Sequence, residues 1–109
     1  MDRLIRDNRI GVLYSRSYGA GWYTVHKIKA AVFDPAIIGM VESHRRKDIK
    51  PYCEKKYGQA IYCGSNYLEV EWIEMDKRFT ILSYMGYESI YEESKLEWFE
   101  TARNSIRGG

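Results

Sequence analysis

Cysteine and histidine are scarce, with two of each in 109 residues. Cys53 and Cys63 are spaced neither as a zinc knuckle nor as a CxxC redox pair, which points to reduced thiols, at least one of them buried. With His26 and His44 they are the only soft metal ligands, and their intervals match no zinc pattern. No metal and no cofactor are therefore expected. Long apolar runs are missing too: nothing approaches membrane-spanning length, and the opening Met1-Asp2-Arg3-Leu4-Ile5-Arg6 does not read as a secretory leader. Charge of one sign is also lacking. A net charge of +2 and a pI near 8.5 disfavour bulk nucleic-acid binding, and they exclude mimicry of DNA by the whole molecule. Repeats and low-complexity stretches are absent. The expected organisation is one α+β domain over residues 1–107, followed by a loose tail, Gly108-Gly109.

What the chain does have is apolar mass and tyrosine. Hydrophobic residues at 45% against charged residues at 29% describe a globular protein, not a disordered one. A chain of this length buries roughly two-thirds of its unfolded surface, enough for an ordinary core without staples. Ten tyrosines supply large rigid faces with polar tips, which suit contact surfaces as well as strand flanks. The modest net charge hides an uneven distribution, +6 over residues 1–58 and −4 over 59–109. Such a chain suits either head-to-tail self-association into a homo-oligomer or an oppositely charged partner for one half; an ordinary mixed surface is the alternative.

The most informative segment runs from Ser15 to Thr24. Gly19 and Gly21 allow tight turning, while Arg16, Tyr18, Trp22 and Tyr23 bring a guanidinium and three aromatic rings to one loop. Displayed outward, these groups grip a protein surface or a planar, anionic ligand. The Gly19-Ala20-Gly21 spacing fits neither phosphate-loop pattern, so the same glycines also read as a plain strand connection.

Local signals assign the remaining elements. Asp7-Asn8 is a turn between a short arm at Leu4-Ile5 and a strand over residues 9–14. Thr24 to Phe33 fits neither the helical nor the strand period. Asp34 as N-cap and Pro35 at the first position open a helix carrying Ile37, Ile38 and Val41, which fades through Ser43 to Lys47. Asp48 opens a second short helix ending at Gly58, with Cys53 on its apolar face. Ile61-Tyr62-Cys63 reads as strand. Leu68, Val70 and Trp72 alternate with Glu69 and Glu71, and Arg78 to Ser83 reads as the returning arm of an antiparallel pair with them. After Gly86 comes a strand at Glu88 to Tyr91, and Leu96, Trp98 and Phe99 close the core. The expected architecture is an antiparallel sheet of four to five strands packed against two short helices.

Two charged groups bear on function. Arg45, Arg46 and Lys47, with Lys50, Lys55 and Lys56 nearby, form a basic patch suited to phosphates or an acidic surface, or simply a solvated helix end. Glu88, Glu92, Glu93, Glu97 and Glu100 read as an acidic edge that deters strand pairing or imitates a phosphate backbone. No nucleophile with a paired base is discernible, so no enzyme is expected.

Two stretches carry a resemblance: Arg3 to Leu13 followed by Tyr18-Gly19-Ala20-Gly21-Trp22, and Leu68 to Ile73 followed by Arg78 to Ile81 and Gly86 to Ile90. The chain resembles a group of short accessory proteins of tailed phages and prophages along nearly its whole length. The resemblance implies a context, the cytoplasm of an infected bacterial host, and a role in counter-defence exercised by binding. The leading expectation is thus a non-enzymatic inhibitor that blocks a bacterial defence protein. Arg16, Tyr18, Trp22 and Tyr23 would be its contacts, with Gly19 and Gly21 shaping the loop and Arg45, Arg46 and Lys47 steering the encounter. The alternative is sequestration of a nucleotide or cyclic-nucleotide signal in pockets between subunits, using the same loop.

Overall fold

The computed structural model describes residues 3–58 and 65–92. Its first unit is set by a turn. Asp7 and Asn8 both adopt left-handed backbone, φ 50° and 63°, the geometry of a two-residue hairpin loop and one that these residue types tolerate. It joins β1 (Ile5–Arg6) to β2 (Arg9–Ser15), pairing Ile5 with Ile10 and Arg6 with Arg9. On its other edge β2 pairs antiparallel with β3 (Leu68–Glu74), from Arg9 opposite Glu74 to Ser15 opposite Leu68. Val12 and Leu13 project to opposite faces of β2, and both are fully buried. β2 is therefore covered on both sides.

Four α-helices are present among the described residues: α1 (Tyr23–His26), α2 (Lys29–Phe33), α3 (Pro35–Glu42) and α4 (Ile49–Tyr57). The segment that fitted neither period is thus two short helices, separated where Lys27 turns left-handed at φ 57°. α3 begins as its sequence dictates, with Asp34 accepting a hydrogen bond from the Ala36 N–H at 2.9 Å and Pro35 at N1. α4 ends at Gly58 in left-handed backbone, φ 71°. Ile37, Ile38, Ile49 and Cys53 join Val12, Leu13, Trp22, Leu68 and Ile73 in one core. No helix among the described residues is long and apolar enough to cross a membrane.

Among the described residues the strands divide into two sheets, in place of the single sheet expected. β4 (Phe79–Tyr84) and β5 (Tyr87–Glu92) form a separate antiparallel ribbon around Met85-Gly86, both at positive φ. β4 does not return along β3. The turn after β3, closed by the Lys77 N–H on Glu74 O at 3.0 Å, hands the chain to the second sheet. β3 instead takes β2 as its partner, because residues 9–15 present Ile10 opposite Ile73 and Leu13 opposite Val70. The expected strand at 61–63, the elements around residues 96–99 and the glycine tail lie outside the described residues.

Candidate functional site

Glu88 organises the region of interest. It is fully buried in β5, and its carboxylate accepts from the Ser15 N–H (2.8 Å), the Trp22 N–H (3.0 Å), the Thr24 N–H (2.8 Å) and the Thr24 hydroxyl (2.7 Å). The acidic edge expected from sequence is corrected at Glu88 and Glu92, which are 0% and 5% exposed. A carboxylate is retained at Glu88 because three backbone donors, two of them where α1 starts, would otherwise be left without acceptors. The remaining glutamates of that edge lie outside the described residues.

With both of its ends held on Glu88, the loop folds back on the β4–β5 turn. The Gly19 N–H donates to Met85 O at 2.6 Å, from a left-handed backbone of φ 77°. Gly86, at φ 91°, lies so close under Ala20 that a Cβ there would overlap the Ala20 backbone. Gly21 is buried beside Thr24 and Val25.

This docking sorts the loop side chains to opposite sides. Trp22, expected as an outward anchor, is 1% exposed, and its Nε1–H donates to Ala31 O at 3.0 Å. Burying an indole beside a partner for its N–H is the more favourable use of so large an apolar surface. Trp22 is therefore a core residue. Tyr23 is half-buried, with the Lys27 ammonium 5.4 Å from its ring centroid. Arg16 and Tyr18 project outward. The Arg16 Nε–H and one terminal N–H donate to the Tyr87 hydroxyl, the former at 2.9 Å, and the guanidinium sits 5.4 Å from the Tyr87 ring centroid.

Tyr18, 66% exposed, packs its ring 5.1 Å from that of Tyr87 and edge-on to Tyr84 at 6.3 Å. By strand alternation Leu82 and Tyr84 of β4 and Tyr87 and Tyr91 of β5 share one face of the ribbon. On that face Leu82 is 53% and Tyr84 70% exposed, and Met85 at the turn is 71% exposed. A shallow groove of about 120 Å³ runs between these rings. Sequence reasoning missed this face. Its one signal was apolar residues at both parities, Ile81 and Leu82, which a two-stranded ribbon cannot cover on both sides.

The basic patch is partly consumed by structure. The Arg46 guanidinium donates twice to Leu68 O, at 3.1 and 2.9 Å, and pairs with Glu69 at 3.7 Å. Arg45 bonds Ser43 Oγ at 2.9 Å and lies 3.9 Å from Asp48, whereas Lys47 is exposed. Because Leu68 pairs with Ser15, and the Arg16 N–H donates to Tyr67 O at 3.1 Å, Arg46 and Arg16 occupy the same end of the β2–β3 ladder. A cleft of about 270 Å³ lies near this end, lined by Tyr14, Arg16, Glu71, Tyr87 and Glu88.

A second buried carboxylate, Asp34, gathers α4 onto the start of α3. It accepts from Tyr57 OH (2.6 Å), Tyr52 OH (2.9 Å to Oδ2) and Lys56 Nζ (3.1 Å) in addition to Ala36. Burial alone would push this carboxyl up, but the hydrogen bonds from Tyr57, Lys56, Tyr52 and Ala36 together hold it below the usual carboxylate range. Burial, then the neighbouring Asp34 charge, pushes the Cys53 thiol up to about 12, so it stays protonated at neutral pH as a small core residue. No family model, no curated protein and no solved structure matches the chain.

Proposed function

We propose that this protein acts by binding and not by catalysis, through the tyrosine face of the β4–β5 ribbon completed by Tyr18 and Arg16. The observation that carries the reading is the clustering of Tyr18, Leu82, Tyr84 and Met85, each more than half exposed, on one side of a short ribbon. Tyrosine and arginine anchors on a preorganised surface are the usual source of interface energy, commonly 2 kcal/mol or more for each hot spot. The four acceptor contacts of Glu88 hold the loop, so Tyr18 is presented at little entropic cost. The resemblance to phage accessory proteins supplies the target class: a defence protein in the cytoplasm of an infected bacterium, blocked by occlusion.

The test is capture from a lysate of a defence-bearing bacterium, followed by titration of the captured protein against variants. Tyr18→Ala and Tyr84→Ala should each weaken binding about 30-fold, corresponding to roughly 2 kcal/mol. Full affinity in the double variant would remove this face from the reading. Capture of a nucleotide signal between subunits of a homo-oligomer is the weaker reading. Arg16 and two phenol rings line the 270 Å³ cleft, but Glu71 and Glu88 line it too, and two donors of Arg16 are already engaged by Tyr87. Nucleotide released on denaturing the purified protein, read by absorbance near 260 nm, would reverse that ranking.

A further inference from the structure

The inner face of the same ribbon carries a different chemistry. Phe79 and Ile81 alternate with Leu82 and Tyr84, and so project to the opposite side of β4, towards α1 and α2. There a groove of about 280 Å³ has Val32, Phe33, Phe79 and Ile81 as its apolar lining, with Tyr23 beside them. Phe33 and Phe79 meet edge-to-face, their centroids 6.2 Å apart.

Its charged groups among the described residues are of one sign. Arg3 and Lys29 line the groove, and Lys27 sits on the Tyr23 ring. The Arg3 guanidinium lies 4.7 Å from the Phe33 centroid. Among the described residues that line it there is no aspartate or glutamate. Arg6, Arg45, Arg46 and Lys56, by contrast, each stand within 4.0 Å of a carboxylate. Arg3, Lys27 and Lys29 make no ion pair with any described residue. Cations that have no carboxylate partner among the described residues, set around an apolar hollow, form a site complementary to an anion that carries an apolar body.

We propose that this groove binds a small amphipathic acid, with its aliphatic or aromatic body against Phe33, Phe79, Val32 and Ile81 and its carboxylate at Arg3 and Lys29. The volume lies just under the range of pockets that hold drug-sized ligands, which selects a compact body. Among the described residues Tyr23 is the one uncharged polar side chain in the lining, which offers little to read the edge of a nucleobase. An apolar acid fits where a nucleotide does not. None of the groove residues belongs to the Tyr18–Tyr84 face except through the shared strand, so this site and the protein contact stand or fall separately.

The experiment is a titration of the full chain followed by backbone amide NMR, with four probes: octanoate below its micelle-forming concentration, octylammonium, adenosine 5′-monophosphate, and vesicles of anionic phospholipid. Octanoate should shift the amides of Val32, Phe33, Phe79 and Ile81 saturably, and octylammonium, with the same body and opposite head, should not. Lys29→Glu, a change on an exposed side chain, should weaken octanoate about tenfold, and Arg3→Gln about fivefold, both with unaltered thermal unfolding. Equal response to the two octyl probes, no saturable shift at the groove, undiminished affinity in Lys29→Glu, or tighter binding of the nucleotide at these amides would each overturn the proposal. A response to vesicles of anionic phospholipid without one to monomeric octanoate would do the same.

Discussion

Asp34 and Glu88 are both buried carboxylates placed where a helix begins, yet they do their work over very different distances. Asp34 caps the helix that follows it directly, through Ala36 two residues on, and then collects Tyr52, Lys56 and Tyr57 from the next helix. Glu88 caps α1 from a strand more than sixty residues away, receiving the Trp22 and Thr24 N–H groups, and also ties down Ser15. One carboxylate has an ammonium beside it, while the hydrogen-bond donors described for the other are backbone amides and a hydroxyl. A local cap stabilises one helix. A remote cap of the same chemistry decides where an entire loop lies, and with it which rings face solvent.

Removing each carboxylate separates these roles. Glu88→Ala strands three backbone donors, two of them buried, and should cost about 3 kcal/mol or more in urea unfolding. It should also release the loop, so that near-ultraviolet circular dichroism of Trp22 weakens while the stability lost exceeds that of any surface change. A loss under about 1 kcal/mol would mean that the loop is held by Gly19 and Trp22 alone.

Asp34→Asn keeps a capping oxygen but exchanges a charged acceptor for a neutral one opposite Lys56, an expected loss of about 2 kcal/mol. The sign of its pH dependence follows from its lowered folded-state pKa. The stabilisation is complete above the unfolded value of about 3.9 and disappears as pH falls through the lower folded value. Wild-type unfolding free energy should therefore drop more steeply below about pH 4 than that of Asp34→Asn. Parallel acid profiles for the two proteins would assign the acid sensitivity elsewhere.

The smallest effect has the opposite sign. Gly39 lies inside α3 with open space where a Cβ would project. Gly39→Ala should stabilise the chain by about 0.5–1 kcal/mol, because the helix that Asp34 caps is governed by local preference. Destabilisation on thermal melting would show that α3 answers to its tertiary neighbours as much as α1 does.

The same division marks what was legible in the residues. Asp7-Asn8, Asp34-Pro35, Gly58 and Gly86 each announce a turn or a helix end through a preference that acts within a few bonds, and all four occur as read. The alternation around Leu68 to Trp72 identifies a strand but not its partner. Residues 78–83 were read as its returning arm, whereas Ile10 and Leu13 of β2 meet Ile73 and Val70 instead. Trp22 was misread for a related reason. A glycine-flanked indole has no preference of its own between solvent and core, and Ala31 O and the apolar surface that receive it come from later elements. The ribbon face was hidden because Leu82, Tyr84, Tyr87 and Tyr91 appear as ordinary strand residues until β4 and β5 are seen to pair apart from β3.

By itself the amino-acid order determined part of the punctuation of this chain: its hairpin turns, the start of α3, the end of α4 and the alternation of β3, all consequences of backbone sterics and hydrogen bonds between near neighbours. Only the tertiary structure decided that Glu88 lies inside, that Trp22 packs while Tyr18 projects, and that Arg3 and Lys29 border an apolar hollow. Burial and charge pairing are properties of whichever surfaces arrive together, and those surfaces come from opposite ends of the sequence.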